Sequence, residues 1–165
     1  MKTLVLLRHA KAETENELGD HLRALSAKGR TQAARLGELI RAETEVDTVL
    51  VSSALRTKET YRLLSAEEAE WPSGTSMDAL YEAGPRELMD ILGELPEDKT
   101  SVMVVGHEPT MSSLAHLLHD AKDEIAQQIR LGVPTATACV IDVPVAWSEL
   151  ERNSCHVRAV IRPED

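Results

Sequence analysis

Apolar runs of strand length alternate along the chain with segments whose apolar residues recur at helical spacing, the pattern of an α/β domain. Thr3–Leu7 lacks polar alternation and predicts a strand buried on both faces. After a polar loop, Ser26 offers an N-cap. Ala33, Leu36 and Ile40, with Leu39 beside them, then predict a helix to about Ala42. Val46–Val51 predicts a second buried strand, and Ser52 or Ser53 the cap of a helix ending near Leu64. Ser65–Ser76, polar and broken by Pro72 and Gly74, reads as a connecting loop, and Ser76–Gly84 as a short extended segment. Leu88, Ile91, Leu92 and Leu95 mark a helix stopped at Pro96. Ser101–Val105 predicts a third buried strand, turned by Gly106-His107-Glu108-Pro109 into a helix with Met111, Leu114, Leu117 and Leu118 on one face. A short helix near Asp123–Ile129 precedes two β-rich runs, Thr137–Val143 and Cys155–Ile161. In the second, Cys155, Val157, Ala159 and Ile161 alternate inward against His156, Arg158 and Arg162, as in an edge strand.

No repeat or linker interrupts this order, and 165 residues match one domain, 1–165, able to bury roughly two thirds of its unfolded surface. Aromatic residues make up 2% with no Phe, so the core is built from Leu, Val, Ile, Ala and Met, and stacked-base recognition lacks its platforms. A formal net charge of −10 opposes a phosphate backbone as partner, so nucleic acid is excluded, although a local cationic pocket still attracts a small anion. No apolar stretch approaches the ~20 residues that span a bilayer, and Leu4–Leu7 is too short for a signal peptide. Cys139 and Cys155 show no paired spacing and read as small buried thiols. A soluble, cytoplasmic protein without a membrane partner is expected; the pattern carries no mark of an oligomeric state.

Each of the three buried strands finishes in residues able to hold an anion: Arg8 and His9 after the first, Ser52-Ser53 and then Arg56 after the second, His107 after the third. Ligands of open α/β sheets bind at the carboxyl ends of the strands, beside helix N-termini, so these residues are expected to converge. Two arginines and two histidines about one point suit a tetrahedral dianion, phosphate more than carboxylate, because an Arg fork grips two oxygens at once. Surrounding positive charge disfavours imidazole protonation and leaves a lone pair that can attack phosphorus.

The blocks "LLRHAKAE" (Leu6–Glu13), "SSALRTKET" (Ser52–Thr60), "LYEAG" (Leu80–Gly84) and "VVGHEPT" (Val104–Thr110) resemble the histidine phosphatase superfamily, and among its branches the small SixA-type phosphohistidine phosphatases. An Arg-His pair alone is weak evidence, but four blocks in order at strand ends are specific. The resemblance runs from Leu4 to "GVPTATACVID" at Gly132–Asp142. It implies a three-layer α/β/α fold with a mostly parallel central sheet, phosphoglycerate mutase-like and minimal, without a lid insertion. It matches His9 to the transiently phosphorylated histidine and Arg8, Arg56 and His107 to the rest of the phosphate pocket. Glu82 matches the proton donor of the mutase-like branch, while Glu108 stands where the acid-phosphatase branch has its donor; Glu82 is the preferred reading. "DHLRALSAKG" (Asp20–Gly29) resembles a SixA-type block that places Arg23 at the pocket rim, here with Ala24 for Pro. Ala10 replaces the Gly that usually follows the histidine; the added methyl restricts φ, and the change reads as a subfamily mark. The resemblance implies neither cofactor nor metal.

In the implied mechanism His9 attacks in line, Arg8, Arg56 and His107 hold the equatorial oxygens, and water then attacks phosphorus on His9 with Glu82 as acid and base. Between Glu82 and His107 there is room for one helix and one strand, and the chain ends soon after its last strand. A shallow, open pocket of this kind suits a phosphorylated side chain on another protein. Three functions remain open: a protein phosphohistidine phosphatase, a small-molecule phosphomonoesterase acting on sugar or nucleotide phosphates, and an inactive phosphate-binding module. His116 and His119, three apart, have metal-ligand spacing but no evident third ligand. The acidic runs "AETENE" and "SAEEAEW" read as solvated faces.

Overall fold

Strands whose residues are apolar on both faces require cover on both sides, and the chain supplies it with helices above and below one six-stranded sheet. The computed structural model describes residues 1–14, 16–66 and 70–164. Its strands are β1 (Lys2–Arg8), β2 (Thr48–Ser52), β3 (Gly74–Met77), β4 (Ser101–Gly106), β5 (Ala138–Val143) and β6 (His156–Ile161). Between them lie helices α1 (Ala27–Arg41), α2 (Leu55–Leu64), α3 (Pro85–Gly93), α4 (Thr110–Leu118) and α5 (Glu124–Arg130). The sheet order is β3-β2-β4-β1-β5-β6, parallel across the first four and antiparallel at β5 and β6.

One face packs Val5, Leu7, Val49, Val51, Met103 and Val105 against Ala33, Leu36 and Ile40 of α1 and Tyr61 and Leu64 of α2. The other packs Leu4, Leu6, Val102, Val104 and Ile141 against Leu88 and Leu92 of α3, four residues of α4, and Trp147. The expected three-layer arrangement is therefore present, with the mostly parallel sheet in the middle. Helices α1 and α2 touch closely: a methyl on Gly37 would meet the Leu64 carbonyl oxygen at 2.1 Å, so only glycine permits this crossing.

Several local expectations need correction. Ser26 does cap α1, its Oγ accepting from Gly29 N, but α2 is entered through Ala54 with no side-chain cap. The polar stretch read as a loop ends in β3, an edge strand whose four residues are mostly exposed and so gave no apolar signal. Met77 then leads into a single 3-10 turn, Asp78–Leu80, instead of a longer extended piece. Helix α3 stops at Gly93, short of Leu95.

In β6 the register shifts opposite Val140 and Ile141, so Val157 faces the α3–α4 side while Ala159 and Ile161 face the α1–α2 side. The expected single inward row is split because one extra residue in a strand reverses every later side chain. Both cysteines are buried and free, and burial pushes the Cys139 thiol up to about 12. Trp71, inside a run read as solvated, is buried edge-on to Tyr61 with the Arg41 guanidinium 4.6 Å from its ring centre. The remaining parts of the two acidic runs include residues 15 and 67–69, which lie outside the described residues.

Candidate active site

Strand register brings the candidate residues together. In the β1/β4 ladder Arg8 is opposite Gly106, so the next residues, His9 and His107, leave the sheet side by side, their ring centres 5.5 Å apart. Strand β2 pairs with β4 through Val51 and Val105, which brings Ser52 and the start of α2, with Arg56, to the same end. The four predicted pocket residues thus converge.

Their hydrogen bonds define what the cluster can do. His9 Nδ1 lies 2.7 Å from the Ala10 carbonyl oxygen, which can only accept, so Nδ1 carries the proton and the Nε2 lone pair is free. His9 is 7% exposed, and its pKa is lowered to about 3, first by burial and then by His107, Arg56 and Arg8. His107 is lowered to about 4, again by burial first and then by Arg56, and its Nε2 sits 2.8 Å from Ser52 Oγ. The serines read as helix caps serve the histidines instead: Ser53 Oγ lies 2.9 Å from His21 Nε2.

Arg8 donates from one terminal nitrogen to the Val133 carbonyl at 2.8 Å. Arg56 donates to the Asp20 carbonyl at 2.9 Å and to the Asp20 carboxylate at 3.1 Å. Among the described residues, Arg8 Nε, Arg56 Nε and His107 Nδ1 are buried without a partner, as are Arg41 Nε and Trp71 Nε1 outside this cluster. Such donors carry a desolvation cost of about 1–3 kcal/mol each unless a ligand meets them. Guanidinium and imidazole N–H groups are the donors that an anion with several oxygens accepts from.

Ala10 is buried and absent from the positive-φ positions, which among the described non-glycine residues are Ala136 and Asn153. Its methyl therefore fits without the feared backbone strain. Its N–H donates to Thr60 Oγ1 at 3.0 Å, tying the loop after β1 to α2. Arg23 stands at the rim: it donates to the Asp20 carboxylate at 2.9 Å and to the Glu13 carbonyl at 2.7 Å, and lines a groove of about 530 Å³ with Ala12, Thr14, Asn16, Gly19 and Asp20. Ala24 in place of proline leaves this loop anchored, since Glu13 N donates to the Ala24 carbonyl and Leu25 N to Glu59.

The two candidate acids behave differently. Glu82 is exposed, faces a separate hollow with Asp78 and Glu87, and has no hydrogen bond to any of the four pocket residues. Glu108 accepts from Ser112 N, Ser112 Oγ and Val133 N, all within 2.9 Å, which fastens the start of α4 to the segment that receives Arg8.

Asp20 escaped the sequence reading. Its carboxylate accepts from Arg56, Arg23 and the Tyr81 hydroxyl, and the Tyr81 bond, with the two arginines, holds it well below the usual carboxylate range. The available signal was a carboxylate three residues before Arg23 in a block already singled out. Tyr81 also stacks edge-on to His107, with centres 5.6 Å apart.

At the other end of α4, His119, Asp120 and His156 place possible ligand atoms within 4.8 Å of one another. His119 Nδ1, however, accepts from Val157 N at 3.0 Å and its Nε2 hydrogen-bonds Asp123 at 2.9 Å, so the ring has no lone pair for a metal without breaking the β6 contact.

The depressed histidines make a testable statement. Both rings are held neutral in the fold, so the unfolded chain, near pKa 6.5, takes up more protons; stability therefore falls as pH drops below 6.5 toward the folded values near 3 and 4. In an NMR titration of labelled imidazoles, His9 and His107 show no transition between pH 8 and 5. A midpoint near 6.5 for either would contradict this environment.

Comparison with known proteins points to one family and fold. Residues 4–71 match the histidine phosphatase superfamily, branch 1. An uncharacterised protein of Mycobacterium tuberculosis is 32% identical over 149 residues, spanning 88% of this chain and 92% of its own length. A structure from Nakamurella multipartitia, described as a candidate phosphohistidine phosphatase SixA, is 28% identical with a TM-score of 0.86, covering 98% of this chain and 96% of that one. A similarly described SixA structure from Agrobacterium tumefaciens has a TM-score of 0.81 at 24% identity, covering 98% of both chains. Among the described residues no helix is long and apolar enough to cross a membrane.

Proposed function

This chain belongs to the histidine phosphatase superfamily, as a phosphatase of the SixA type, and from that premise we propose that it hydrolyses phosphohistidine on a protein substrate through a phosphohistidine formed at its own His9. Residues 1–165 then act as one catalytic domain. The observation that carries the reading is the His9 imidazole, neutral, with Nε2 free beside two arginines and a second neutral imidazole.

His9 Nε2 attacks phosphorus in line, forming the N–P bond as the bond to the leaving imidazole breaks. Arg8, Arg56 and His107 meet the three equatorial oxygens with donors that the fold leaves buried and unpaired, and Arg23 marks the rim. Water then attacks the phosphorus on His9 and releases inorganic phosphate. A departing imidazole is a better leaving group than an alkoxide, so an acid in contact with it matters less, which suits the exposed position of Glu82. Glu82 remains the proposed proton carrier, and Glu108 serves to hold α4 and Val133.

Substrate size is argued from the segment between Glu82 and His107, which contains only α3 and β4 and no covering insertion. The test compares kcat/KM for a phosphotransfer protein phosphorylated on histidine with that for a panel of sugar and nucleotide phosphates. A preference of at least about tenfold for the protein is expected. A higher value for one of the small esters would make the chain a small-molecule phosphomonoesterase.

A further inference from the structure

Four large apolar side chains stand in solvent among the described residues: Met1 (86% exposed), Leu18 (74%), Leu22 (43%) and Leu131 (88%). Met1 precedes β1 and lies at the far end of the sheet from His9. The other three each lie two residues from a residue that receives an arginine of the phosphate pocket. Leu18 and Leu22 each lie two residues from Asp20, whose carboxylate and carbonyl receive Arg56. Leu131 lies two residues before Val133, whose carbonyl receives Arg8. Two residues of extended chain reach at most about 7 Å, so each leucine stands close to an arginine of the pocket.

These leucines are held in place. Leu18 N donates to Asn16 Oδ1 and Asn16 Nδ2 donates to the Leu22 carbonyl, both at 2.8 Å, so one side chain braces both. Beyond Leu131 the chain turns through Gly132 at φ 116°, and Val133 N donates to Glu108 at 2.9 Å. This turn sends the backbone to the pocket while leaving Leu131 outside. Exposed apolar side chains concentrated on one rim mark a contact surface, whereas scattered ones do not.

We propose that Leu18, Leu22 and Leu131 form a docking rim for a folded protein whose phosphorylated histidine stands among apolar side chains. This rests on the protein-substrate reading above and deepens it. His9 is only 7% exposed, so a phosphorylated side chain on a folded protein reaches it only when that protein's surface closes on the rim. A sugar or nucleotide phosphate is too small and too polar to use leucines on both the Arg56 and Arg8 sides. The exposed carboxylates of Glu13 and Glu17, on the segment that carries Leu18, disfavour an anionic bilayer.

The experiment uses the variant Leu18→Ser/Leu22→Ser/Leu131→Ser, none of whose sites belongs to either apolar cluster, and three substrates: a histidine-phosphorylated phosphotransfer protein, a short phosphohistidine peptide and p-nitrophenyl phosphate. The wild type is expected to favour the folded protein over the peptide. The variant should lose about 10- to 100-fold in kcat/KM on the folded protein and change less than about twofold on the other two. An equal loss on all three would show that the leucines shape the pocket itself, and an unchanged rate on the folded protein would show that they touch nothing; either result overturns the docking rim and leaves the phosphohistidine reading standing. A concentration-dependent dimer of the wild type, lost in the variant, would assign the rim to a second copy and overturn it as well. Hydrolysis of p-nitrophenyl phosphate with none of either phosphohistidine substrate would overturn both the rim and the reading beneath it.

Discussion

Replacing His9 by Ala abolishes turnover, with a loss of at least about 10⁴-fold in kcat on phosphohistidine and phosphate esters alike. No neighbour can substitute. The other imidazole, His107, has its Nε2 engaged with Ser52, and its ring centre is displaced by 5.5 Å from that of His9. An arginine guanidinium is a donor only and offers no lone pair. Acid-quenched reactions with a radioactive phosphoryl donor should label the wild type and leave the variant unlabelled. Circular dichroism should show both folded, since the side chain is at the pocket floor and not among the two apolar clusters. A variant within tenfold of the wild-type rate would end the covalent mechanism.

Arg56→Lys keeps a positive charge and loses geometry, and it lowers kcat/KM by about 10²- to 10³-fold. Arg56 is almost fully buried; one terminal nitrogen is bound to the Asp20 carbonyl, the other to its carboxylate, and Nε is left as a buried donor. A lysine ammonium is a single point and cannot remain on Asp20 while also presenting a fixed N–H to phosphate. Asp20 would then pull the ammonium toward itself, unopposed by a second grip. The comparison with Arg56→Ala is informative because alanine also leaves Asp20 with one cation fewer, adding a charge effect to the geometric one. If Arg56→Lys stayed within about threefold of wild type, net charge and not the fork would be what the site requires.

The parts of the fold legible in the chain were those whose signal is local. Strands β1, β2 and β4 are continuous apolar runs because both of their faces are covered, and α1 declares itself through Ser26 and its apolar row. Strand β3 is exposed at the sheet edge, so nothing in its composition separates Gly74–Met77 from a loop. The alternation in β6 was read correctly residue by residue and still gave the wrong faces, because the register shift against β5 depends on the partner strand. Arg8, His9, Arg56 and His107 were legible since each follows a recognisable strand end. Asp20, Tyr81 and Val133 were not, for each acts through a partner distant in the chain.

The chain by itself determined which segments seek burial and which reactive groups stand at their ends, because solvation and helical or strand periodicity act over a few residues. Only the tertiary structure decided that Arg8 lies opposite Gly106, that Asp20 receives Arg56, and that Ser52 and Ser53 face histidines instead of capping a helix. Those outcomes depend on how segments 30 to 100 residues apart pack in one layer, where alternative pairings of similar local energy are separated by the fit of the whole core.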